Sequence, residues 1–147
     1  KDNGKTIYEL LQDIYVEYGF SKEKGISVVK EGRSGAEEIE AMMKNFRDNP
    51  IKEIAGAKVT LIKDFVKLKA FDLNIDEEYT LEMPTTSNVL QYFTQDGTKV
   101  SIRPSGTEPK IKFYIEVKDK LKSRAEYDSV DAAADKKIEQ VCKDLGI

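Results

Sequence analysis

The segment Lys110 to Lys118 constrains this chain more than any other. Ile111, Phe113, Ile115 and Val117 alternate there with Lys110, Lys112, Tyr114, Glu116 and Lys118. A period of two sends one set of side chains toward a core and leaves the other on a polar face. Such a strand belongs in an antiparallel sheet with one covered and one open face. The other apolar segments therefore have to supply its partner strands and a covering layer.

Partner strands are legible upstream. Val89-Leu90-Gln91-Tyr92-Phe93 and Val100-Ser101-Ile102-Arg103 flank Asp96-Gly97, a pair suited to the positive φ of a hairpin turn. Lys58 to Lys63 reads as another strand, and Ile26 to Val29 as a short β-branched one. The cover comes from helices. Ile39, Met42, Met43 and Phe46 recur at helical spacing after Ser34-x-x-Glu37, a capping-box pattern, and Asn49-Pro50 ends that helix. Val130, Ala134, Ile138, Val141 and Leu145 form the stripe of a C-terminal helix, with Cys142 beside it as an inert thiol. A further helix, Lys5 to Tyr18, opens on the capping box Thr6-x-x-Glu9 and stops at Gly19. It stands outside the sheet unit, with residues 19–25 as the joint. The stretch 64–88 shows no assignable period. Its acidic residues Asp72, Asp76, Glu77, Glu78 and Glu82 match no Ca²⁺ loop and read as a solvated loop. The order helix, strand, helix, four strands, helix predicts an α+β sandwich: a mostly antiparallel sheet with helices on one face.

A length of 147 residues suits one domain, or one domain with an appendage. With no His and a single Cys, the chain cannot build a Ser/His/Asp or Cys/His pair, a His-containing zinc site or an internal disulfide. A net charge of −3 argues against a general nucleic-acid binder. No apolar run approaches the ~18 residues of a membrane span, so a cytoplasmic setting is expected. The opening Lys1-Asp2-Asn3-Gly4, followed at once by a helix, is the pattern expected of a piece of a longer protein.

Chemistry concentrates between the last two strands, in Arg103-Pro104-Ser105-Gly106-Thr107-Glu108-Pro109-Lys110. Ser105 and Thr107 offer hydroxyls, Gly106 admits an anion to the main chain, and successive N–H groups suit an anion nest. Arg103 brings a planar fork for phosphate oxygens, and the two prolines restrict the loop before any ligand arrives. From Thr98 to Lys118 there are five Lys or Arg against two Glu, a local excess of +3. Period-two logic puts Ser101 with Arg103, and Lys110 with Lys112, on the polar faces of adjacent strands. A plain hairpin accommodates the same Ser, Gly, Thr and Pro content. Gly32-Arg33-Ser34-Gly35 reads as helix capping rather than as a second anion site.

Arg103-Pro-Ser-Gly-Thr-Glu-Pro-Lys-Ile-Lys-Phe-Tyr114, preceded by Ser87-Asn88-Val89-Leu90 and Asp96-Gly97, resembles the C-terminal phosphate-binding domain of the α-D-phosphohexomutases, the phosphoglucomutase and phosphomannomutase enzymes. The resemblance implies a fold of the TATA-binding-protein type. It makes residues 1–20 the terminal helix of a third domain and residues 21–147 the fourth domain. In that family a serine of the first domain carries the phosphoryl group, Mg²⁺ holds the charge, and a hexose phosphate turns over through a bisphosphate. The fourth domain grips the phosphate that is not transferred. By the same resemblance Arg103, Ser105, Gly106, Thr107 and Lys112 are the phosphate contacts. Lys112 stands where many members have Arg, which exchanges a bidentate fork for a point charge. Catalytic and metal residues are expected outside this chain, which is expected to be silent alone. Its partners are then a hexose phosphate and the preceding domains, with no nucleic acid or membrane. The competing class is a non-enzymatic anion-binding or protein-interaction module on the same frame.

Overall fold

In the computed structural model, which describes residues 6–147, the alternating segment forms β8 (Lys110–Asp119). Ile111, Phe113, Ile115 and Val117 are buried, as the alternation requires. Two antiparallel neighbours flank it, β1 (Phe20–Val29) and β7 (Lys99–Pro104). β1 is longer than its β-branched signal. Its register runs unbroken from Phe20↔Asp119 to Val29↔Lys110, so residues 20–25, which the pattern leaves as a joint, are paired. The reason lies in the backbone: β8 presents a continuous row of donors and acceptors whose satisfaction does not depend on neighbouring side chains.

β6 (Leu90–Thr94) joins β7 through the Asp96-Gly97 turn, where Gly97 has φ +87°. β3 (Ala57–Asp64) pairs with β6, and the short β2 (Glu53–Ile54) pairs with β3. The stretch without a period contains a hairpin of β4 (Lys69–Asp72) and β5 (Glu77–Thr80). The sheet order is β1-β8-β7-β6-β3-β4-β5. Glu77 and Glu78 are thus edge-strand residues rather than loop residues. All four positions of β5 are exposed, which explains why no apolar alternation announces it. Charge on such an edge discourages further pairing.

Two helices cover one face, giving the expected α+β arrangement. α2 (Gly35–Asp48) contributes Ile39, Met43 and Phe46, and α3 (Tyr127–Leu145) contributes Ala134, Ile138, Val141 and Leu145. These meet the buried side of β8, and the Phe46 and Phe113 rings sit 6.0 Å apart edge to face. Met43 is core; Met42 packs at its margin. Cys142 is partly covered, and burial pushes its thiol pKa up, as suits an unreactive group. The end of α2 is tied down by polar bonds. The Tyr92 hydroxyl donates to Phe46 O at 2.6 Å, and buried Asp64 accepts from Arg47 Nε at 3.1 Å.

The two expected capping boxes have opposite outcomes. At α1 (Ile7–Tyr18), Glu9 N–H donates to Thr6 Oγ1 at 3.1 Å while Thr6 N–H donates to Glu9 Oε1 at 3.2 Å. Lys5, the expected first residue of that helix, lies outside the described residues. At α2, Ser34 makes no side-chain cap. Its φ −90°, ψ 2° is not the extended geometry a capping side chain needs, whereas Thr6 at φ −75°, ψ 164° has it.

α1 has no buried residue. One side of it is held by Arg124, whose fork donates to Asp13 at 2.6 and 2.8 Å and to Glu9 at 2.8 Å. Tyr8 and Tyr15 reach the Tyr127 ring at 5.6 and 6.2 Å. No helix among the described residues is long and apolar enough to cross a membrane.

Asp96 links the β6–β7 turn to α3. Partial burial works to raise its carboxyl pKa, but hydrogen bonds from Lys137, Thr94 and Thr98 outweigh it and hold the group down at about 2. A depressed carboxylate stabilises the fold above its unfolded pKa, and that contribution is lost as pH falls through the folded value. Urea denaturation should therefore show the native chain more stable than Asp96→Asn at pH 6, with the gap closing between about pH 4 and pH 2. A gap that is constant with pH would show that the carboxylate charge is not what holds the turn.

Candidate anion-binding site

The β7–β8 register sets Arg103 directly opposite Lys112 on the face that no helix covers. Like charges facing each other across a ladder are destabilising in isolation. Lys110 has Glu108 at 3.4 Å, but neither Arg103 nor Lys112 has an ion-pair partner among the described residues.

The loop between the strands is firm at its base and loosely bonded at its tip. Ser105 N–H donates to Lys110 O at 2.8 Å, closing the hairpin. Ser105 Oγ accepts from Thr107 N–H at 3.4 Å and from Glu108 N–H at 3.3 Å. Both bonds are long, so these amides are available to a better acceptor. Gly106 N–H makes no hydrogen bond among the described residues. Its φ is not positive, and a Cβ there would meet nothing within 4 Å. Neither strain nor crowding within the chain calls for glycine at 106; its effect is to leave the main chain open to an approaching group.

Arg103, Ser105, Gly106 and Lys112 line one concavity of about 410 Å³, together with Lys110 and Tyr114. Thr107 is the exception among the expected contacts. It lines a second hollow of about 340 Å³, between the loop and α2, beside Ala36, Ile39 and Glu40. Ser105 and Gly106 border both hollows. A larger groove of about 890 Å³ lies beneath α1, bordered by Ile14, Tyr15, Phe20 and Lys137. Its lining sets Lys118, Lys120 and Lys137 against Asp96, Glu116 and Asp119, with Lys137 paired to Asp96 and Lys118 to Glu116, so its charges balance, unlike those of the loop site.

Two residues of the site escape the sequence pattern. Tyr114 reads there only as an outward strand position. Gly35 reads as part of a capping segment, yet its role is spatial: a Cβ would fall 2.1 Å from Lys30 O and 3.0 Å from Pro109 Cβ. Lys30 N–H also donates to Pro109 O at 2.9 Å. The end of β1, the start of α2 and the end of the loop thus meet where no side chain fits. Among the described residues no group of three or more His, Cys, Asp or Glu side chains is arranged to hold a metal. The described residues do not fit Mg²⁺.

Residues 27–133 match the family model described as phosphoglucomutase/phosphomannomutase, C-terminal domain. The chain belongs to this family. It is 38% identical over 115 residues, 78% of its length, to the phosphoglucomutases of Staphylococcus haemolyticus (strain JCSC1435) and Staphylococcus aureus (strain MRSA252). The match takes in 21% and 20% of those proteins, so the chain spans about a fifth of the length of the curated relatives it matches. A crystal structure of the exocytosis-sensitive phosphoprotein pp63/parafusin (phosphoglucomutase) from Paramecium, in its open form, aligns with a TM-score of 0.44 at 15% identity, covering 100% of this chain and 25% of that one. The family-model match contains β7, the loop and β8 entire, and excludes α1.

The site geometry makes two stability predictions. Lys112→Gln relieves the facing cations, so in low salt without phosphate it should stabilise the chain by about 0.2–1 kcal/mol. With phosphate added, the native chain should gain more than the variant. Urea midpoints with and without phosphate read both, and a destabilised ligand-free variant would contradict the charge conflict. Gly35→Ala should cost about 1–3 kcal/mol by overpacking; an unchanged midpoint would show that the junction gives way freely.

Proposed function

We propose that this chain is the phosphate-gripping C-terminal domain of a phosphoglucomutase-type enzyme, acting on a hexose phosphate and on its bisphosphate intermediate. The observation that carries this reading is the facing pair Arg103 and Lys112 at the mouth of the Ser105-Gly106-Thr107 loop. A phosphate monoester carrying about −1.5 to −2 charges converts their repulsion into shared attraction. Arg103 offers a fork, Lys112 a point charge, and Gly106 an open amide. The Thr107 and Glu108 amides exchange a long bond to a neutral hydroxyl for charge-assisted bonds to phosphate oxygens, roughly twice as strong.

The domain holds the phosphate that does not react. Its binding energy orients the sugar so that the opposite end meets the transferring group. The phosphoserine and the Mg²⁺ site belong to preceding domains of the same cytoplasmic polypeptide. We assign α1 to the last helix of the domain before and the sheet unit to the fourth domain, with Phe20, already paired in β1 and buried in the core, moving the boundary from 20/21 to Gly19/Phe20. Three facts support the division: α1 has no buried residue, it lies outside the matched segment, and Gly19 turns the chain with φ +97° before β1. Relatives named phosphoglucomutase favour this reading over an anion-binding module without enzymatic partners.

Titrating the chain with inorganic phosphate while following backbone amides should move Ser105, Gly106 and Thr107 first; shifts confined elsewhere would sink the loop assignment. In the full-length protein Arg103→Ala should raise KM for glucose 1-phosphate by roughly 10- to 100-fold, from the ~1.5–3 kcal/mol of a charge-assisted hydrogen bond. An unchanged KM would remove Arg103 from the site. The chain alone should not interconvert glucose 1-phosphate and glucose 6-phosphate above background in a coupled assay.

A further inference from the structure

Glu108 borders both hollows that meet at the loop, and the two have opposite charge. The phosphate concavity is lined by three cations, Arg103, Lys110 and Lys112, against one carboxylate, Glu108, a surplus of two positive charges. The charged groups of the hollow against α2 are Glu40 and Glu108, and no Lys or Arg among the described residues borders it. Gly106 lines both, so the main chain at the loop tip is accessible from both sides. Charge decides between them: an anion is drawn to the first and repelled from the second.

The loop holds Glu108 by its main chain. Its N–H donates to Ser105 Oγ at 3.3 Å, and its carbonyl accepts from Lys110 N–H at 2.7 Å. The side chain lies with Lys110, Oε2 at 3.4 Å from Nζ. One residue thus offers an anion an attractive amide and a repelling carboxylate. The amide asks for no particular side chain, so the loop's shape does not account for the carboxylate. At 64% exposure its charge is partly screened by solvent, which makes its effect on a bound anion modest and salt-dependent.

We propose that Glu108 is a specificity-determining residue of the phosphate site, whose carboxylate lowers the affinity for di- and triphosphates more than the affinity for a phosphate monoester. The inference rests on the phosphate-site reading. A monoester carries about −1.5 to −2 charges, which the surplus of two positive charges in the concavity balances. A diphosphate carries more, and it would gain most from a third uncompensated cation. Coulomb energy is proportional to the charge of the ligand, so one fixed carboxylate costs the more highly charged anion more. Geometry acts in the same direction. A second phosphoryl group reaching past Gly106 meets Glu40 and Glu108 rather than a cation. The grip is thereby matched to the ligand it has to hold: enough attraction to orient a monoester, without the excess that would favour polyphosphates.

The test titrates this chain with inorganic phosphate and with pyrophosphate while following backbone amides. Glu108→Gln keeps the amide and removes the charge. It should raise phosphate affinity about two- to fivefold in low salt, the range of an exposed ion pair, and raise pyrophosphate affinity by a larger factor. Both gains should shrink in about 1 M salt, where screening acts within about 3 Å. Glu108→Ala, a second neutral variant without the Gln amide, should show the same change in selectivity, and phosphate should still shift residues 105–107 in both. Equal factors for the two ligands, gains that persist in high salt, or unchanged affinities overturn the role of Glu108 and leave the phosphate site standing. So does loss of the 105–107 shifts in both variants, which would make Glu108 a residue of loop shape alone. Failure of phosphate to move residues 105–107 in the native chain overturns the phosphate site and the role of Glu108 together.

Discussion

The rest of the structure depends on the register of one ladder, β7 against β8. In that register Ile102 lies opposite Phe113 and Arg103 opposite Lys112, so adjacent pairs go alternately to the core and to the open face. A slip of one residue would exchange the two sets, exposing Phe113, Ile111 and Ile115 and burying the cations. The magnitudes settle which demand rules. Each fully buried large apolar side chain contributes about 1.5–3 kcal/mol, against about 0.2–1 kcal/mol for a facing like-charged pair. Core burial therefore imposes the register, and the charge conflict at the loop mouth is a consequence the fold can carry.

The surroundings of the loop fix its shape at the base and leave its tip open. Pro104 and Pro109 narrow its conformations, and the Ser105 N–H to Lys110 O bond closes its base. The contact of Gly35 with Lys30 and Pro109 seats the C-terminal end of the loop against the start of α2. Only the tip keeps long, replaceable hydrogen bonds. A firm base with an exchangeable tip limits the conformational cost of taking up an anion. The loop and both flanking strands lie within the segment that matches the phosphoglucomutase/phosphomannomutase C-terminal domain family.

Much of this was legible in the residues, and the failures have particular physical causes. The alternation of 111–117, the Asp96-Gly97 turn, the stripes of α2 and α3 and the Thr6 box all follow from local periodicity or local hydrogen bonding. β1 was seen only at its β-branched end, because residues 20–25 pair through main-chain groups that leave no trace in side-chain order. β4 and β5 were invisible because an exposed edge hairpin buries no apolar face. Ser34 carries the letters of a cap without the backbone angles, which its neighbours impose.

The sequence by itself determined the fold class, the core and the chemistry of the loop, because periodicity, turn residues and charge are local properties of the chain. Tertiary structure alone decided how that chemistry is used. It set Arg103 against Lys112 without an acidic partner among the described residues, put Thr107 at a hollow against α2, excluded any side chain at 35, and brought the Tyr114 ring beside Gly25. Each of these joins segments that meet only when the sheet forms. Contacts between such segments depend on register and close packing, which no local pattern encodes.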